Sequence, residues 1–150
     1  MGSGSIFLAD VPEEDRPATL WSLDDMNDSQ HNRPRILIVD DQKLIADTLA
    51  EILTEARFDA MAAYDGNRAL EIAARFHPHW VISDVLMPHM HGVALAIQIR
   101  QRYPQTSILL FSGQAGISEI LQEAQQKGYE FEMIAKPIHP TKLINRLKQQ

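Results

Sequence analysis

The sequence contains no cysteine among its 150 residues. This absence excludes disulfide bonds, thiolate nucleophiles and cysteine-ligated metals, and it suits a reducing compartment, so we expect a cytoplasmic location. Apolar runs are also short, and none approaches the roughly 20 residues that a membrane-spanning helix needs. The N-terminus lacks the basic start and the apolar stretch of a signal peptide.

An excess of positive charge is absent as well. The sequence has 14 Lys and Arg residues against 20 Asp and Glu residues, which gives a formal net charge of −6. Because phosphate backbones are bound by basic patches, we expect no direct nucleic-acid binding. What is present is an ordinary globular composition, 45% hydrophobic and 23% charged, in a chain long enough for one domain with a core.

The chain is predicted to divide near Arg33. Residues 1–33 are interpreted as an extension or linker, whose first residues resemble a linker or an expression scar. A short apolar stretch around Trp21 has helical spacing. Because short isolated helices are only marginally stable, we interpret it as a flexible extension with a transient helix. The alternative is a docking segment that buries Trp21 on this domain or on a neighbour. Residues 34–150 are predicted to form the folded domain.

From Arg35 onward, strand and helix patterns alternate. The predicted strands are 35–39, 58–63, 80–83, 107–111 and 131–135, and the predicted helices are 43–56, 67–76, 93–103, 117–127 and 140–148. The first helix is predicted to place one apolar stripe on the core, consisting of Leu44, Ile45, Thr48, Leu49 and Ile52. Five such alternations predict an α/β fold with a doubly wound parallel sheet, covered by helices on both faces.

Charged or hydroxyl side chains follow four of these strands. The acidic pair Asp40 and Asp41 follows the first strand, Asp84 the third, Ser112 the fourth and Lys136 the fifth. Ligands of doubly wound folds bind beyond the carboxyl ends of the strands, so these side chains are expected to gather there. Three carboxylates and one ammonium at one edge indicate a cation site that holds a phosphoryl group.

Four segments together resemble the receiver domain of two-component response regulators. They are Ile36–Asp41, Ser83–Gly92, Phe111–Gly113 and Ala135–Pro137, in this order and each at a strand end. Each segment alone is common, but the ordered set is specific. The resemblance covers about residues 33–150 and implies a flavodoxin-like fold with strand order 2-1-3-4-5.

The resemblance implies that Asp84 is the phosphoacceptor, which takes a phosphoryl group from a sensor histidine kinase or a phosphotransfer protein. It further implies that Mg²⁺ is bound by Asp41, Asp84 and the backbone carbonyl of Leu86, with Asp40 acting mainly through a water molecule. The alternatives from the residues alone are a structural Asp84 that caps the next loop and an acidic pair that caps the first helix.

The resemblance also implies that Lys136 pairs with the phosphoryl oxygens and that the Ser112 hydroxyl donates to one of them. We expect a cis peptide between Lys136 and Pro137, as is common in receivers. The alternatives are a solvated surface lysine and a turn serine before Gly113. Gly92 is expected to ease the turn into the third helix.

Several positions depart from the receiver pattern. Met133 lies where the family often has Tyr or Phe, so coupling of Ser112 to an aromatic switch is in question. Phe131 lies on the same strand face, but it is displaced along the strand from the position of Met133. Leu86 and Gln114 flank the route of water to the phosphoryl group. Because Leu86 cannot hydrogen-bond that water, slow autodephosphorylation is predicted.

Five histidines lie outside the predicted helices and strands: His77, His79, His89, His91 and His139. Their spacing matches no zinc signature, so we interpret them as exposed loop residues. His89 and His91 lie in the loop after Asp84, where they would shape access or kinase docking.

The sequence therefore predicts a phosphorylation-controlled receiver, either a stand-alone protein or one excised from a longer chain. It would not be an enzyme beyond Mg²⁺-dependent self-phosphorylation and autodephosphorylation. Its output would pass through the face formed by helix 4, strand 5 and helix 5, residues 117–148, to an effector protein or a homodimer partner.

Three alternatives remain open at this point. The first is a pseudo-receiver, a protein-interaction module that is never phosphorylated. The second is a phosphatase of the haloacid dehalogenase type, although Leu86 occupies the place of its second Asp. The third is a flavin protein of the same architecture, although no phosphate-cradling loop follows the first strand.

Overall fold

The computed structural model describes residues 33–113 and 118–149. Predictions for residues 1–32, for Gln114 and for Ile117 lie outside the described residues. The elements are β1 Arg35–Val39, α1 Lys43–Glu55, β2 Asp59–Ala63, α2 Gly66–Phe76, β3 Trp80–Asp84, α3 Gly92–Arg102, β4 Ser107–Ser112, α4 Ser118–Gln126, β5 Glu132–Ala135 and α5 Pro140–Lys148. Within the described ranges, no helix has the length and apolar character needed to cross a membrane.

The five strands form one parallel sheet in the order β2-β1-β3-β4-β5, which confirms the predicted fold. The chain runs from β1 outward to β2, and then starts β3 on the other side of β1. The strand order therefore switches direction between β1 and β3. Val39 at the end of β1 lies beside Ser83 near the end of β3. The residues that follow these positions are consequently neighbours at the switch point, where ligands of such folds bind.

The core consists of two clusters, one on each face of the sheet. Successive side chains of β1 alternate between them: Leu37 and Val39 belong to one cluster, and Ile36 and Ile38 belong to the other. All four are fully buried. The predicted burial of β1 on both faces is confirmed, and this central strand is fixed firmly enough to position the residue that follows it.

The apolar stripe predicted for α1 is wrong in part. The buried residues of α1 are Ala46, Leu49 and Leu53, whereas Leu44 is 80% exposed. Positions 46, 49 and 53 are three and four residues apart, so they share one face, and the small Ala46 lets that face approach the sheet. The core face of α1 is therefore centred on Ala46 and Leu49 instead of on Leu44, and the predicted stripe also lines a surface groove.

Several element boundaries differ from the predictions by one residue. α2 begins at Gly66 because the Asp65 side chain at the cap position accepts a hydrogen bond from the Arg68 amide at 2.7 Å. α3 also begins one residue earlier than predicted, while β2 and β5 begin one residue later. Gly128 follows the end of α4 with φ of +91°, and the Tyr129 amide donates to the Ala124 carbonyl at 2.9 Å, which is a glycine C-cap.

Candidate functional site

Three carboxylates meet at the carboxyl edge of the sheet. Asp40 follows β1, Asp84 ends β3, and Asp41 lies in the loop before α1. Their ligand atoms lie within 4.8 Å of one another, and they are the only group of three or more candidate metal-ligating side chains in residues 33–113 and 118–149. Asp40 and Asp84 are buried, with 0% and 7% of their surface exposed, whereas Asp41 faces solvent. The predicted cluster is therefore assembled by the fold.

Asp40 has one satisfied oxygen and one unsatisfied oxygen. Its Oδ1 accepts a hydrogen bond from the Gln42 amide at 2.9 Å. Its Oδ2 has no hydrogen-bond partner in the described part of the chain. Burial raises the pKa of this carboxyl above its ordinary value of 3.8; the Gln42 hydrogen bond opposes the shift, and the charge of Asp84 adds to it. A buried carboxylate in this position favours a bound cation.

Lys136 provides the positive charge that lies nearest to these groups. Its Nζ is 3.3 Å from Oδ2 of Asp84 and 3.9 Å from Oδ2 of Asp40. The first distance is a long hydrogen bond, while the second is an ion pair without one. The same ammonium lies 5.1 Å from the centre of the Phe111 ring, which limits where the side chain can swing. Lys136 is thus aimed at Asp84.

Ser112 and Lys136 are joined through the backbone. Ser112 is the last residue of β4, is 8% exposed, and lies beside Ala135. The Lys136 amide donates to the Ser112 carbonyl at 3.1 Å. The peptide between Lys136 and Pro137 is cis, as predicted. The ends of β4 and β5 therefore bring the predicted hydroxyl and ammonium to the same edge as the carboxylates.

Gly92 is required by a close approach and not by an unusual backbone angle. A Cβ atom at this position would lie 2.1 Å from the carbonyl oxygen of Asp84 and 3.0 Å from Oγ of Ser83. The Gly92 amide also donates to the Val85 carbonyl at 2.7 Å. The start of α3 consequently rests on the backbone of the predicted phosphoacceptor, a reason for this glycine that the sequence did not reveal.

Helix capping does not account for Asp41. α1 begins with Gln42 at the cap position and has no side-chain cap hydrogen bond. It is Asp40 that accepts from the Gln42 amide. The alternative in which Asp41 caps the first helix is therefore wrong, and its exposed carboxylate lies beside the other two acids.

Four of the five histidines are exposed, as predicted, and His91 is the exception because it is half-buried. Two of the five accept backbone hydrogen bonds. His79 Nδ1 accepts from the Arg35 amide at 2.9 Å, and His91 Nδ1 accepts from the Ala94 amide at 3.0 Å. Sequence reasoning missed the role of His91 because histidine is not among the preferred N-cap residues.

Met133 and Phe131 pack against the same core cluster, so they share one face of the sheet. Phe131 stacks on Tyr129 with ring centres 6.2 Å apart, and the Arg100 guanidinium lies 5.1 Å from its ring centre. Phe131, directly before β5, thus contacts both Tyr129 and Arg100. The altered activation relay stays a prediction, as do the ligand role of the Leu86 carbonyl and the donor role of the Ser112 hydroxyl.

An apolar groove lies next to the site, between α1 and the loop after β5. It has a volume of about 660 Å³ and includes Lys136 in its wall. The apolar side chains that line it are Leu44, Ile45, Leu49, Ile52, Pro137, Ile138 and Pro140. A partner seated in this groove would lie beside the carboxylates.

Comparison with known proteins identifies the family. A family model described as the response regulator receiver domain matches residues 36–148. The chain belongs to this family. Its residues Asp84 and Lys136, with their acidic neighbours, occupy the carboxyl edge of a receiver sheet.

Solved structures of receivers have the same fold. The chemotaxis protein CheY4 of Vibrio cholerae is 28% identical, with a TM-score of 0.69 over 78% of this chain and 98% of that chain. The signal receiver domain of an HD domain-containing protein from Pseudomonas fluorescens is 31% identical, with a TM-score of 0.70 over 79% and 94%. A two-component transcriptional regulator AraC from Clostridium phytofermentans is 35% identical, with a TM-score of 0.64 over 77% and 90%.

Proposed function

We propose that Asp84 is the phosphoacceptor of this receiver and that the phosphoryl group comes from a phosphohistidine of a sensor histidine kinase or phosphotransfer protein. The observation that carries the proposal is the Asp84 carboxylate, which lies 3.3 Å from the Lys136 ammonium in a cluster with two further acids. One oxygen of Asp84 attacks phosphorus, the P–N bond breaks, and the imidazole leaves with a proton. The product is an acyl phosphate on Asp84.

The acidic residues fit a Mg²⁺ ion. All their ligand atoms are oxygens, one of them is buried without a hydrogen-bond partner among the described residues, and Mg²⁺ prefers oxygen ligands and retains water. Asp41, Asp84 and the Leu86 carbonyl would hold the ion directly, and Asp40 would hold it through a water molecule. When bound, Mg²⁺ neutralises the phosphoryl charge and offsets the repulsion among the carboxylates.

Lys136 and Ser112 serve the acyl phosphate once it forms. The Lys136 ammonium moves from its ion pair with Asp84 to a phosphoryl oxygen, as a point charge that suits phosphate. The Ser112 hydroxyl donates to another phosphoryl oxygen from the end of β4. The last step is hydrolysis of the acyl phosphate. Water attacks phosphorus, inorganic phosphate leaves, and the Asp84 carboxylate is restored.

Incubation with acetyl phosphate and Mg²⁺ tests the acceptor. We expect a mass gain of one phosphoryl group in the wild type and none in Asp84→Asn. Asp59→Asn is the matched control, because Asp59 is an exposed aspartate at the start of β2, remote from the carboxyl edge. A gain that persists in Asp84→Asn would assign the acceptor to another residue, and no gain in the wild type would favour the pseudo-receiver.

The donor would dock in the apolar groove between α1 and the loop after β5. The groove presents Leu44, which is 80% exposed, and its wall includes Lys136, which contacts Asp84. Leu44→Ser should therefore slow transfer from a phosphohistidine donor and leave acetyl phosphate labelling unchanged. Met61→Ser is the matched control, because Met61 is an exposed apolar residue of β2 that does not line the groove.

The output would use the face formed by α4, β5 and α5, and it would reach an effector protein or a second copy in the cytoplasm. On this face Arg146 of α5 bonds both carboxylate oxygens of Glu132 in β5, at 2.5 and 2.6 Å. This pair ties the helix to the edge strand, so the two can move as one surface. Size measurement before and after phosphorylation tests the homodimer: an unchanged size would leave effector binding as the output.

The acyl phosphate should be long-lived. Leu86 presents an apolar side chain that is 39% exposed in the loop after Asp84, where it cannot orient an attacking water by hydrogen bonding. Decay of the purified phosphoprotein should therefore be slow. A lifetime of seconds, or a Leu86→Asn variant that decays no faster than the wild type, would contradict this explanation.

A further inference from the structure

The loop between β3 and α3 contains a tight and strained turn. His89 has φ of +70°, and the Met90 amide donates to the Pro88 carbonyl at 2.7 Å. A hydrogen bond from the amide of residue i+2 to the carbonyl of residue i, around a central residue with positive φ, is typical of a rare form of the γ-turn. Such a conformation persists only where the surrounding structure fixes it. The contacts on either side of the turn therefore decide whether this loop keeps its shape.

Met90 fixes one side of the turn. Its side chain packs on Gly66 at the start of α2, where an added Cβ atom would lie 2.6 Å from the Met90 sulfur. The Gln98 amide nitrogen of α3 lies 3.8 Å from the same sulfur. Met90 thus contacts both α2 and α3, and these contacts restrain the loop on this side.

His91 fixes the other side. It occupies the N-cap position of α3, and its Nδ1 accepts a hydrogen bond from the Ala94 amide at 3.0 Å. An imidazole accepts at Nδ1 only when it is neutral and its proton is on Nε2. Asp65 caps α2 in the same way, but through a carboxylate oxygen, which needs no particular imidazole tautomer in order to accept. The cap of α3 is therefore sensitive to protonation, and the cap of α2 is not.

The capped turn of α3 bears directly on Asp84. Gly92, the residue after His91, donates to the Val85 carbonyl at 2.7 Å, and it lies so close to Asp84 that no Cβ atom would fit. Loosening of this turn would therefore allow the backbone of Asp84, and with it the carboxylate, to move. A proton on Nδ1 would face the Ala94 N–H and add positive charge to the helix N-terminus, and both effects are unfavourable.

We propose that His91 is a positioning residue for phosphorylation and that its protonation lowers the rate at which Asp84 accepts a phosphoryl group. In the neutral form the imidazole closes the loop and holds the backbone of Asp84. In the protonated form the cap is lost and the first turn of α3 loosens. This inference rests on the proposed phosphoacceptor function of Asp84.

Other titratable groups surround α3, and the test must cancel their effects. The elements packed against α3 are α2, α4, β3 and β4. β4 has no charged side chain. The charged side chains of α2 with its N-cap, of α4 and of β3 are Asp65, Arg68, Glu71, Arg75, Asp84, Glu119 and Glu123. His89 lines one surface pocket with the first three of these. A His91 variant keeps all of these groups, so dividing the wild-type rate by the variant rate removes their contribution.

The experiment compares wild type with His91→Asp at about pH 5.5 and about pH 8, because a neutral Nδ1 can accept from the Ala94 amide and a protonated one cannot. Aspartate is a preferred N-cap and stays ionised at both values. The initial rate of labelling by acetyl phosphate and Mg²⁺ is measured for each protein. We expect the ratio of wild-type to variant rates to fall about fivefold from pH 8 to pH 5.5, which corresponds to about 1 kcal/mol.

His89→Asn is the matched control, because it removes a histidine of the same loop and asparagine tolerates positive φ. Its rate should keep the wild-type pH dependence. A ratio of wild type to His91→Asp that is the same at both pH values would overturn the role of His91, provided the wild type is labelled at pH 8. A wild type that gains no phosphoryl group at pH 8 would instead overturn the proposed function and, with it, this inference.

Hydrogen exchange of the Ala94 amide gives a readout that a general loss of stability does not imitate. At the lower pH, this amide should be less protected in the wild type than in His91→Asp, while the Arg68 amide under the Asp65 cap should be equally protected in both. Equal protection of Ala94 in the two proteins would overturn the proposed loss of the cap.

Discussion

The two ends of the sheet differ in how well their polar groups are hydrogen-bonded. At the amino end, Arg35 Nε donates to the carbonyls of Phe76 and His77 at 2.9 and 3.0 Å, and the Arg35 amide donates to His79. The buried Thr106 hydroxyl donates to the Pro78 carbonyl at 2.9 Å. At the carboxyl end, by contrast, Asp40 is fully buried and has an oxygen without a hydrogen-bond partner in the described ranges.

This contrast separates residues that stabilise the domain from residues that reduce its stability. Hydrogen bonds at the amino end connect strands, loops and the end of α2, so they contribute to folding. A buried carboxylate next to other acids reduces stability unless a cation offsets its charge. The carboxyl end is therefore the place where a ligand gains most by binding. Removal of the Asp40 charge should stabilise the domain, whereas removal of a hydrogen-bonding group at the amino end should destabilise it.

Gly92→Ala should have the largest effect, because it affects the carboxyl end through backbone contact. The added Cβ atom would lie 2.1 Å from the Asp84 carbonyl oxygen, so the backbone must shift. We expect a loss of about 3 kcal/mol in the free energy of unfolding, measured by urea denaturation. Gly128→Ala is the control, since it introduces only the strain of positive φ in open space, and it should cost about 1 kcal/mol. Equal losses would show that contact with Asp84 is unimportant.

Lys136→Met should slow phosphorylation without a comparable loss of stability. The substitution removes the ammonium that lies 3.3 Å from Asp84 and 5.1 Å from the centre of the Phe111 ring, and it keeps an apolar side chain of similar length. We expect the labelling rate with acetyl phosphate to fall on the order of a hundredfold, as for loss of one preorganised donor. Lys142→Met is the control in the same region, because Lys142 is exposed on α5. A rate within twofold of wild type would place the decisive charge elsewhere.

Asp40→Asn should stabilise the domain in the presence of EDTA. The raised pKa of this carboxyl means that it favours the folded state below about pH 3.8 and loses that contribution as pH rises through its higher folded value. At neutral pH the variant should therefore be more stable than wild type by about 1 kcal/mol, and the gain should shrink toward pH 4. Urea denaturation of both proteins at several pH values measures this difference in the free energy of unfolding.

Addition of Mg²⁺ supplies the second half of this test. The ion should stabilise the wild type by an amount that grows with the logarithm of its concentration above the Kd, and it should stabilise Asp40→Asn much less. Asp47→Asn, at an exposed acidic residue of α1, is the control and should respond as the wild type does. An Asp40→Asn variant that is less stable than wild type in EDTA would contradict the contrast between the two ends.

Thr106→Val should give the smallest effect and complete the comparison at the amino end. The hydroxyl bonds the Pro78 carbonyl in a buried place, and valine has nearly the same shape. We expect a loss of about 1 kcal/mol in the free energy of unfolding. The labelling rate should remain that of wild type, and a tenfold change in rate would show that the two ends are coupled.

Much of the fold and of the site followed from strand-end residues. Parallel strands that each stop on a polar side chain place those side chains at one edge, so Asp40, Asp84, Ser112 and Lys136 were predictable from their neighbours in sequence. Helix faces were harder to predict. In α1 the apolar residues exceed what one core face accommodates, and periodicity alone did not distinguish the stripe with Leu44 from the stripe with Ala46.

Contacts between loops and backbone were not predictable from the sequence. The need for Gly92 arises from the position of the Asp84 carbonyl, which is set by the packing of α3 on β3. The cap at His91 depends on which nitrogen of the ring faces the helix. Neither feature leaves a periodic pattern in the residues, because both depend on distances between atoms that only the folded chain brings together.

The placement of β1 beside β3 has a consequence for how the site forms. Asp40 and Asp84 are neighbours only because Val39 pairs with Ser83, and the chain between them forms α1, β2, α2 and β3. Closing that loop costs conformational entropy before any contact between the two acids is gained. An ion held by both carboxylates is consequently lost when this pairing opens. Binding of the ion would therefore stabilise the pairing of β1 with β3, because only the paired state brings the carboxylates together.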